Sequence, residues 1–348
     1  MAIRFATQQV ARTVVRRGAF DIGSGATKVQ VADVDVSNRR VLDEIYGEER
    51  PIPFGYVAIS SGSMTLSDEI METGMNTIRE LMENAKEKGA TDFSAVATEV
   101  FRKASNGQEY ISMIEAEFGF PVSVVTQQSE GELGFNTALA YSATDAGAVC
   151  SWDSGAASFQ IVSQDPMTKE LRYYLGALGT SPVTALLVET VRGQELSSDL
   201  KERPAVNPVC VDEAEALVEM LIEKLDVIPA WLQAKEQPKV ISAIGGNNCI
   251  FRLASDLRGE GHEKPLSQAD IYKALQDCCN KTGEELQPLF DFDYADHPRI
   301  AVPKLALLWA VTKHLDLKAI QFHPCVGSCA GLLVSEDYWN GADGRHVS

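Results

Sequence analysis

A two-domain α/β protein is the fold class this sequence predicts, and three observations predict it. The chain has 348 residues, which at roughly 150 residues per domain is about two domains. Short apolar strands alternate with amphipathic helices along its length, the pattern of a sheet covered by helices. An Asp-terminated strand, a tight turn and a second strand occur twice, near Asp21 and near Asp153, so the chain reads as a duplicated structural unit.

Residues 19–35, AFDIGSGATKVQVADVD, alternate apolar and polar positions on both sides of a glycine-containing bend and read as a hairpin. A third extended segment follows at 40–47, after which Pro51, Pro53 and Gly55 break the pattern. Over residues 66–88, Ile70, Met71, Met75, Ile78, Leu81, Met82 and Ala85 recur at helical spacing, and Gly89 closes the helix. A strand at 93–97, a helix after Asn106 and a strand at 122–125 complete the first half. The second half opens at 148–164, AVCSWDSGAASFQIVSQ, on another hairpin. Helices follow at about 180–192, 211–224, 248–256, 268–280 and 303–315, with strands at 239–244 and 318–323. Residues 259–265 and 291–298 read as loops.

Composition narrows the function. Thirty-one Lys and Arg stand against 49 Asp and Glu, a net charge of −18. That balance argues against a duplex nucleic-acid binder, which neutralises phosphates with basic residues, but leaves room for a polyanion in a locally basic cleft. Hydrophobic residues at 45% and charged residues at 23% describe a globular chain. No apolar run reaches the roughly 18 residues of a membrane span, so no membrane association is expected. The first twenty residues are basic and acid-free without a secretory apolar core, and are read as a ragged terminus leading into the first strand. Seven cysteines in no regular framework, Cys278 and Cys279 adjacent, fit a reducing cytoplasmic compartment.

The chemistry concentrates in the two turns. In Asp21-Ile22-Gly23-Ser24-Gly25-Ala26-Thr27-Lys28 the glycines let the backbone approach a ligand, so that successive N–H groups and the Ser24 and Thr27 hydroxyls are candidates for phosphate binding. Asp21, at the strand end, is a candidate ligand for a divalent cation. A lone turn of this kind is equally an ordinary hairpin. The second turn, Asp153-Ser154-Gly155-Ala156-Ala157-Ser158, changes the weighting, because two such hairpins facing each other would hold one phosphate chain and its cation from both sides.

Asp21-Ile22-Gly23-Ser24, followed by Ala97-Thr98-Glu99-Val100-Phe101-Arg102-Lys103-Ala104-Ser105-Asn106-Gly107, resembles the exopolyphosphatase and guanosine-pentaphosphate phosphatase (Ppx/GppA) family of the actin-like ATPase superfamily. Gln127-Gln128-Ser129-Glu130 occupies that family's catalytic-glutamate segment, and Ile244-Gly245-Gly246-Asn247 resembles its glycine pair. The similarity covers about residues 18–335 and is that of the short, two-domain form. It implies two actin-like, ribonuclease H-like domains with mixed sheets and a cleft between them, at 14–135 and 136–324, with a final helix at about 325–340 returning to the first.

The resemblance also implies roles. Glu130, at a helix start after a strand, would deprotonate an attacking water; elsewhere a Glu there merely complements the helix dipole, and Glu132 is the neighbouring candidate. Arg102 would offset charge on the transferred group. Lys28 stands where the family often places an Arg; an exposed strand lysine is its plain reading. Gly23, Ser24, Gly25, Ala26, Thr27, Lys28, Ser154, Gly155, Ala156, Ala157, Ser158, Gly245 and Gly246 would bind phosphate, and Asp21 and Asp153 would hold Mg²⁺ or Mn²⁺. The implied substrate is inorganic polyphosphate or a guanosine nucleotide, and homodimerisation is left open.

Departures from the family pattern bear on rate. Where relatives read Asp-Ile-Gly-Gly-Gly-Ser-x-Glu, this chain has Ala156 and Ala157 in place of two glycines and Gln160 in place of the acid. Gly327-Ser328-Cys329-Ala330-Gly331 stands where relatives carry an Arg and a Glu. The expectation is a phosphoric anhydride hydrolase, with a catalytically weak alarmone or polyphosphate sensor as the alternative. Two further clusters read blandly: Asp291, Asp293, Asp296 and His297 as a solvated acidic loop, and Cys325 and Cys329 as buried thiols rather than a zinc site.

Overall fold

The chain builds one strand order twice, and the two turns sit at matching places in the two sheets. The computed structural model describes residues 14–142, 146–196, 206–233, 240–289 and 298–339. Strands β1 (Val14–Ile22) and β2 (Ala26–Asp35) form the first hairpin, with Asp21 opposite Lys28. Strand β3 (Arg40–Pro51) extends it antiparallel, placing Glu49 opposite Lys28. On the other side of β1, β4 (Asp92–Ala97) and β5 (Val122–Val124) add in parallel, giving the order β3-β2-β1-β4-β5. The second sheet repeats this with the hairpin β6 (Cys150–Ser154) and β7 (Phe159–Gln164), then β8 (Leu171–Gly176), β9 (Ile241–Gly245), the two-residue β10 (Leu266–Ser267) and β11 (Ala319–Pro324). Its order is β8-β7-β6-β9-β11-β10, so both sheets are mixed, as expected.

Helices α1 (Phe54–Ser60), α2 (Asp68–Glu87), α3 (Glu99–Lys103), α4 (Gly107–Phe118) and α5 (Gln127–Tyr141) belong to the first half of the chain. Helix α2 starts where the Ser67 hydroxyl accepts the Ile70 N–H at 3.3 Å. Its apolar stripe of Ile70, Met75, Ile78 and Leu81 is buried against Phe20, Ile22, Val29 and Val31 of β1 and β2. Helix α1 was not legible as such, because Pro51, Pro53 and Gly55 look like a break. Pro53 is its N-cap, where the missing N–H costs nothing. Phe54 then buries itself edge-on to Phe101 at 5.1 Å between ring centres, contributing roughly 1.5–3 kcal/mol.

The second half supplies α6 (Thr180–Ala185), continued by a wider π-type turn at Leu186–Val191, then α7 (Val211–Lys224), α8 (Ile250–Arg258), α9 (Gln268–Cys278), α10 (Gly283–Leu286), α11 (Ala301–His314) and α12 (Cys329–Val334). Helix α11 is buried nearly all round, as its continuous apolar run requires. Helix α12 packs Cys329, Leu332 and Leu333 against Ala19, Ala32 and Leu133, and so lies on the face of the first sheet opposite α2. Helix α5 lies between this packing and the second sheet. A Cβ at Gly131 would meet Val162 at 2.9 Å, and one at Gly134 would meet Asp153 at 3.4 Å.

No helix among the described residues is long and apolar enough to cross a membrane. All seven cysteines are free, with Cys325 and Cys329 buried as thiols. The acidic segment 291–297 and the basic first thirteen residues lie outside the described residues.

Candidate active site

Strand alternation decides which turn residues can reach a ligand. On β1, Phe20 and Ile22 point into the α2 core, which leaves Asp21 on the other face, lining the cleft. On β2, Thr27 shares the core face with Val29 and Val31, fully buried with its hydroxyl unpartnered. Thr27 therefore does not take part in the cleft, and its expected contact with phosphate is corrected by the period of the strand. Lys28, one residue on, faces the cleft. The second hairpin behaves alike: Trp152 is in the core and Asp153 lines the cleft.

The two turns meet across this cleft. Gly23, Ser24, Gly25 and Ala26 line one wall, Ser154, Gly155, Ala156, Ala157 and Ser158 the other, with Gly245 and Gly246 beside them. The Gly23 N–H closes its turn on the Ala26 carbonyl at 2.8 Å, and the Gly155 N–H closes the other on Ser158 at 2.9 Å. The N–H groups of Ser24, Gly25, Ala156 and Ala157 find no acceptor among the described residues. The Ser154 hydroxyl is buried and also lacks a partner. Such donors suit an anion. The Ser24 hydroxyl is engaged, accepting the Val100 N–H at 3.2 Å. Neither Ala156 nor Ala157 has a positive φ, and nor do Gly23, Gly25 or Gly155. The turns thus use ordinary backbone conformations, and alanine is compatible with the second.

Ser328 joins the two Asp residues. Its N–H donates to Asp21 Oδ2 at 3.1 Å and its hydroxyl to Asp153 Oδ2 at 3.3 Å. Asp21 Oδ2 also accepts from Lys28 Nζ at 3.2 Å. Gly327 makes this approach feasible: its φ is +54°, and a Cβ there would fall on Asp21 and 2.9 Å from Lys28 Nζ. Burial, reinforced by Asp21 and opposed by Lys28, pushes the Asp153 carboxyl up to about 6. Burial works against the Lys28 ammonium, yet Asp21, Glu49 and Asp153 hold its pKa well above the usual lysine value.

Glu130 lines the same cleft from the first turn of α5, whose N-cap Thr126 accepts the Ser129 N–H at 3.1 Å. Burial is the main cause that pushes its carboxyl up to about 8. Arg102 opposes the shift, and Asp153, Asp21 and Glu99 add to it. Arg102 Nη1 and Nη2 lie 3.3 and 3.4 Å from Glu130 Oε2, and Nη1 also donates to the Val125 carbonyl. Arg102 is itself outside the cleft lining but contacts Glu130, which is in it. Glu132 lies elsewhere, accepting from the Tyr173 hydroxyl at 2.7 Å. Gln160 is buried with its amide on the Ser158 hydroxyl at 3.1 Å, outside the lining.

Among the described residues no group of three or more His, Cys, Asp or Glu could hold a metal ion by itself. The donor set of Asp21 and Asp153 nevertheless fits Mg²⁺ or Mn²⁺ of the kind completed by waters and substrate phosphates, which needs only one or two carboxylates.

Several cleft residues were not found from sequence. Glu49, Tyr56, Asn248, Arg299, Lys304 and Ser328 all line it. Lys304 carried a signal, a lone cation inside the apolar run AVPKLALLWAV. It is 2% exposed and donates to the carbonyl and side-chain oxygens of Asn248 at 2.9 and 2.7 Å.

Fold and cleft define a class, the two-lobed actin-like α/β protein with one strand–turn–strand hairpin from each sheet facing the interlobe space. Within it, the Ppx/GppA phosphatase family model matches residues 48–174, a stretch that holds Arg102, Glu130 and the second turn. The resemblance read from the sequence is thereby borne out. The crystal structure of the Aquifex aeolicus member of the Ppx/GppA family aligns with 93% of this chain and 98% of its own at TM-score 0.67 and 18% identity. An exopolyphosphatase from Cytophaga hutchinsonii aligns over 91% and 96% at 0.71 and 17%. A structure described as an exopolyphosphatase-like protein aligns over 94% and 98% at 0.72 and 16%. At these identities the likeness establishes the fold. No curated protein sequence matched the chain.

Proposed function

We propose that the protein hydrolyses phosphoric anhydrides, releasing terminal orthophosphate from inorganic polyphosphate or guanosine pentaphosphate in the cytoplasm. The observation that carries this reading is Glu130, a mostly buried carboxylate with a pKa near 8, in one cleft with two turns whose Ser24, Gly25, Ala156 and Ala157 N–H groups are unclaimed. A base poised near the working pH is what proton abstraction from water requires. The turns cradle the terminal phosphates through Ser24, Gly25, Ala156 and Ala157. Glu130 accepts a proton from a water aligned with the scissile bond, the water oxygen bonds to phosphorus, and the bridging oxygen leaves with the remaining chain. Arg102 holds the carboxylate in place. A divalent cation held through Asp21 and Asp153 supplies charge neutralisation on the phosphates.

A second reading, a binding protein that senses an alarmone or polyphosphate, draws on the second turn. Ala156 narrows the gap to Gly25, and Gln160 offers no acid. One experiment separates the two. The pure protein is incubated with Mg²⁺ and polyphosphates, pppGpp or ATP, and phosphate release and binding are both measured. Release that Glu130→Gln abolishes supports the hydrolase; binding without release supports the sensor. A folded protein that neither binds nor hydrolyses any of them overturns both.

A further inference from the structure

One carboxylate of the cleft has no place in that mechanism. Glu49 stands on β3, the edge strand of the first sheet, directly opposite Lys28. Its side chain reaches over to the second sheet and presses on Gly246, where a Cβ would coincide with Oε2. It accepts the Asn247 backbone N–H; burial raises its pKa above the usual carboxylate value, an effect that Lys28 and Lys304 oppose and Asp21 adds to. Oε2 is itself buried without a hydrogen-bond partner. Lys28, Lys304 and Gly246 line the cleft around this carboxyl, and two ammonium groups with a backbone N–H beside a glycine are the surroundings of an anion site.

We propose that Glu49 plugs a second phosphate subsite of this cleft, formed by the Asn247 N–H, Lys28 and Lys304 next to Gly246, and that a longer phosphate chain enters it when the carboxylate withdraws. The inference rests on the phosphate-cleft reading above and adds a subsite to it. Glu49 fills the position incompletely, since one oxygen finds no donor, and a buried acceptor left unpaired favours a ligand that does better. A phosphate group offers three acceptor oxygens to the same donors. Lys28 lies between this position and Asp21, so it would contact phosphates on both sides.

The geometry sets a chain-length signature. Orthophosphate is satisfied at the two turns and ignores the plug, whereas tripolyphosphate spans into it. The test is calorimetric titration of orthophosphate and of tripolyphosphate, with Mg²⁺, into the wild-type protein, Glu49→Ala and Glu49→Gln, each first shown to unfold in a cooperative thermal transition. Glu49→Ala should bind tripolyphosphate about tenfold more tightly or better, the scale of one hydrogen bond to a charged group, with orthophosphate affinity unchanged within about twofold. Glu49→Gln, which keeps the bulk, should gain less than Glu49→Ala. Equal gains for both ligands in both variants would mean that only long-range charge changed, and the plug would be refuted. Weaker tripolyphosphate binding by Glu49→Ala would make Glu49 part of the ligand site and also refute it. Wild type and variants that bind neither ligand would overturn the phosphate-cleft reading itself, a result distinct from either failure of the plug.

Discussion

Replacing Glu130 by Gln removes one proton-accepting oxygen and almost no volume, so its consequences can be worked from this mostly buried carboxyl alone. The group moves from its ordinary value of 4.5 to about 8 in the fold, and each unit corresponds to about 1.4 kcal/mol. Below pH 4.5 the carboxyl is protonated in folded and unfolded chains alike, and pH has no leverage through it. Between 4.5 and 8 the unfolded chain releases a proton that the folded chain retains, so the wild type loses stability as pH rises. Above about 8 the loss is complete, at up to about 5 kcal/mol. Glu130→Gln is free of that loss. Urea unfolding at pH 5 and at pH 9 should therefore show the variant gaining on the wild type by up to about 4 kcal/mol between the two conditions. Phosphate release should fall about 10²- to 10⁴-fold, with ligand binding retained. An identical stability difference at both pH values would show that Glu130 titrates normally and is no poised base. Near-normal turnover with Glu132→Gln inactive would place the base on the wrong glutamate.

Other substitutions read the same cleft. Asp21→Asn and Asp153→Asn should raise the Mg²⁺ concentration needed for half-maximal phosphate release, because each replaces a charged oxygen by a neutral one; full wild-type activity in excess chelator would exclude the metal role. A Cβ at Gly25 would lie 2.6 Å from the Ala156 Cβ, so Gly25→Ala should force the turns apart, lower kcat/KM at least tenfold and cost about 1–3 kcal/mol. Adding Ala156→Gly should restore most of both losses, and a double variant no better than the single would show that the turns do not oppose each other. Gly327→Ala combines a positive φ with an overlap on Asp21 and should lower the unfolding free energy by about 2 kcal/mol or more; wild-type stability by urea denaturation would contradict that contact.

Much of the fold was legible because its signals are local. The hairpins announced themselves by alternation around Gly23 and Gly155, and α2 by apolar residues at helical spacing. Helix α1 was hidden because its cause is tertiary, the burial of Phe54 against Phe101 and Tyr110. The site divides along the same line. Asp21, Asp153 and Glu130 were read from motifs within single segments, and the structure gathers all three in one cleft. Thr27 was misread because a turn motif does not state where the strand begins, and one residue of register sends a side chain to the opposite face. Glu49, Ser328 and Lys304 come from β3, the α12 approach and α11, and nothing in their own neighbourhoods says that they converge. Lys304, charged within an apolar helix, and Ser328, inside the altered 327–331 segment, left a trace in the sequence; Glu49 left none.

The convergence poses an electrostatic problem that bears on how the cleft works. Its lining carries Asp21, Glu49, Glu130 and Asp153 against Lys28, Arg299 and Lys304, so with every group ionised it holds more negative than positive charge. A polyphosphate entering such a space would be repelled unless charge is removed or brought in. Three of the carboxyls are arranged to remove it: Glu130 near 8, Asp153 near 6 and Glu49, raised by burial, hold their protons more tightly than an exposed acid would. A divalent cation arriving with the phosphates would bring it in, at the two Asp residues that Ser328 already holds together. These solutions pull on Glu130 in opposite directions. Protonation of Glu130 eases binding but disables the base, whereas a cation at Asp21 and Asp153 would ease binding and, by offsetting the smaller contribution those carboxylates make to the Glu130 shift, would favour loss of its proton as well. Coupling of base to cation in this way would leave the cleft quiet when empty and make it competent when a phosphate chain and its counterion arrive together.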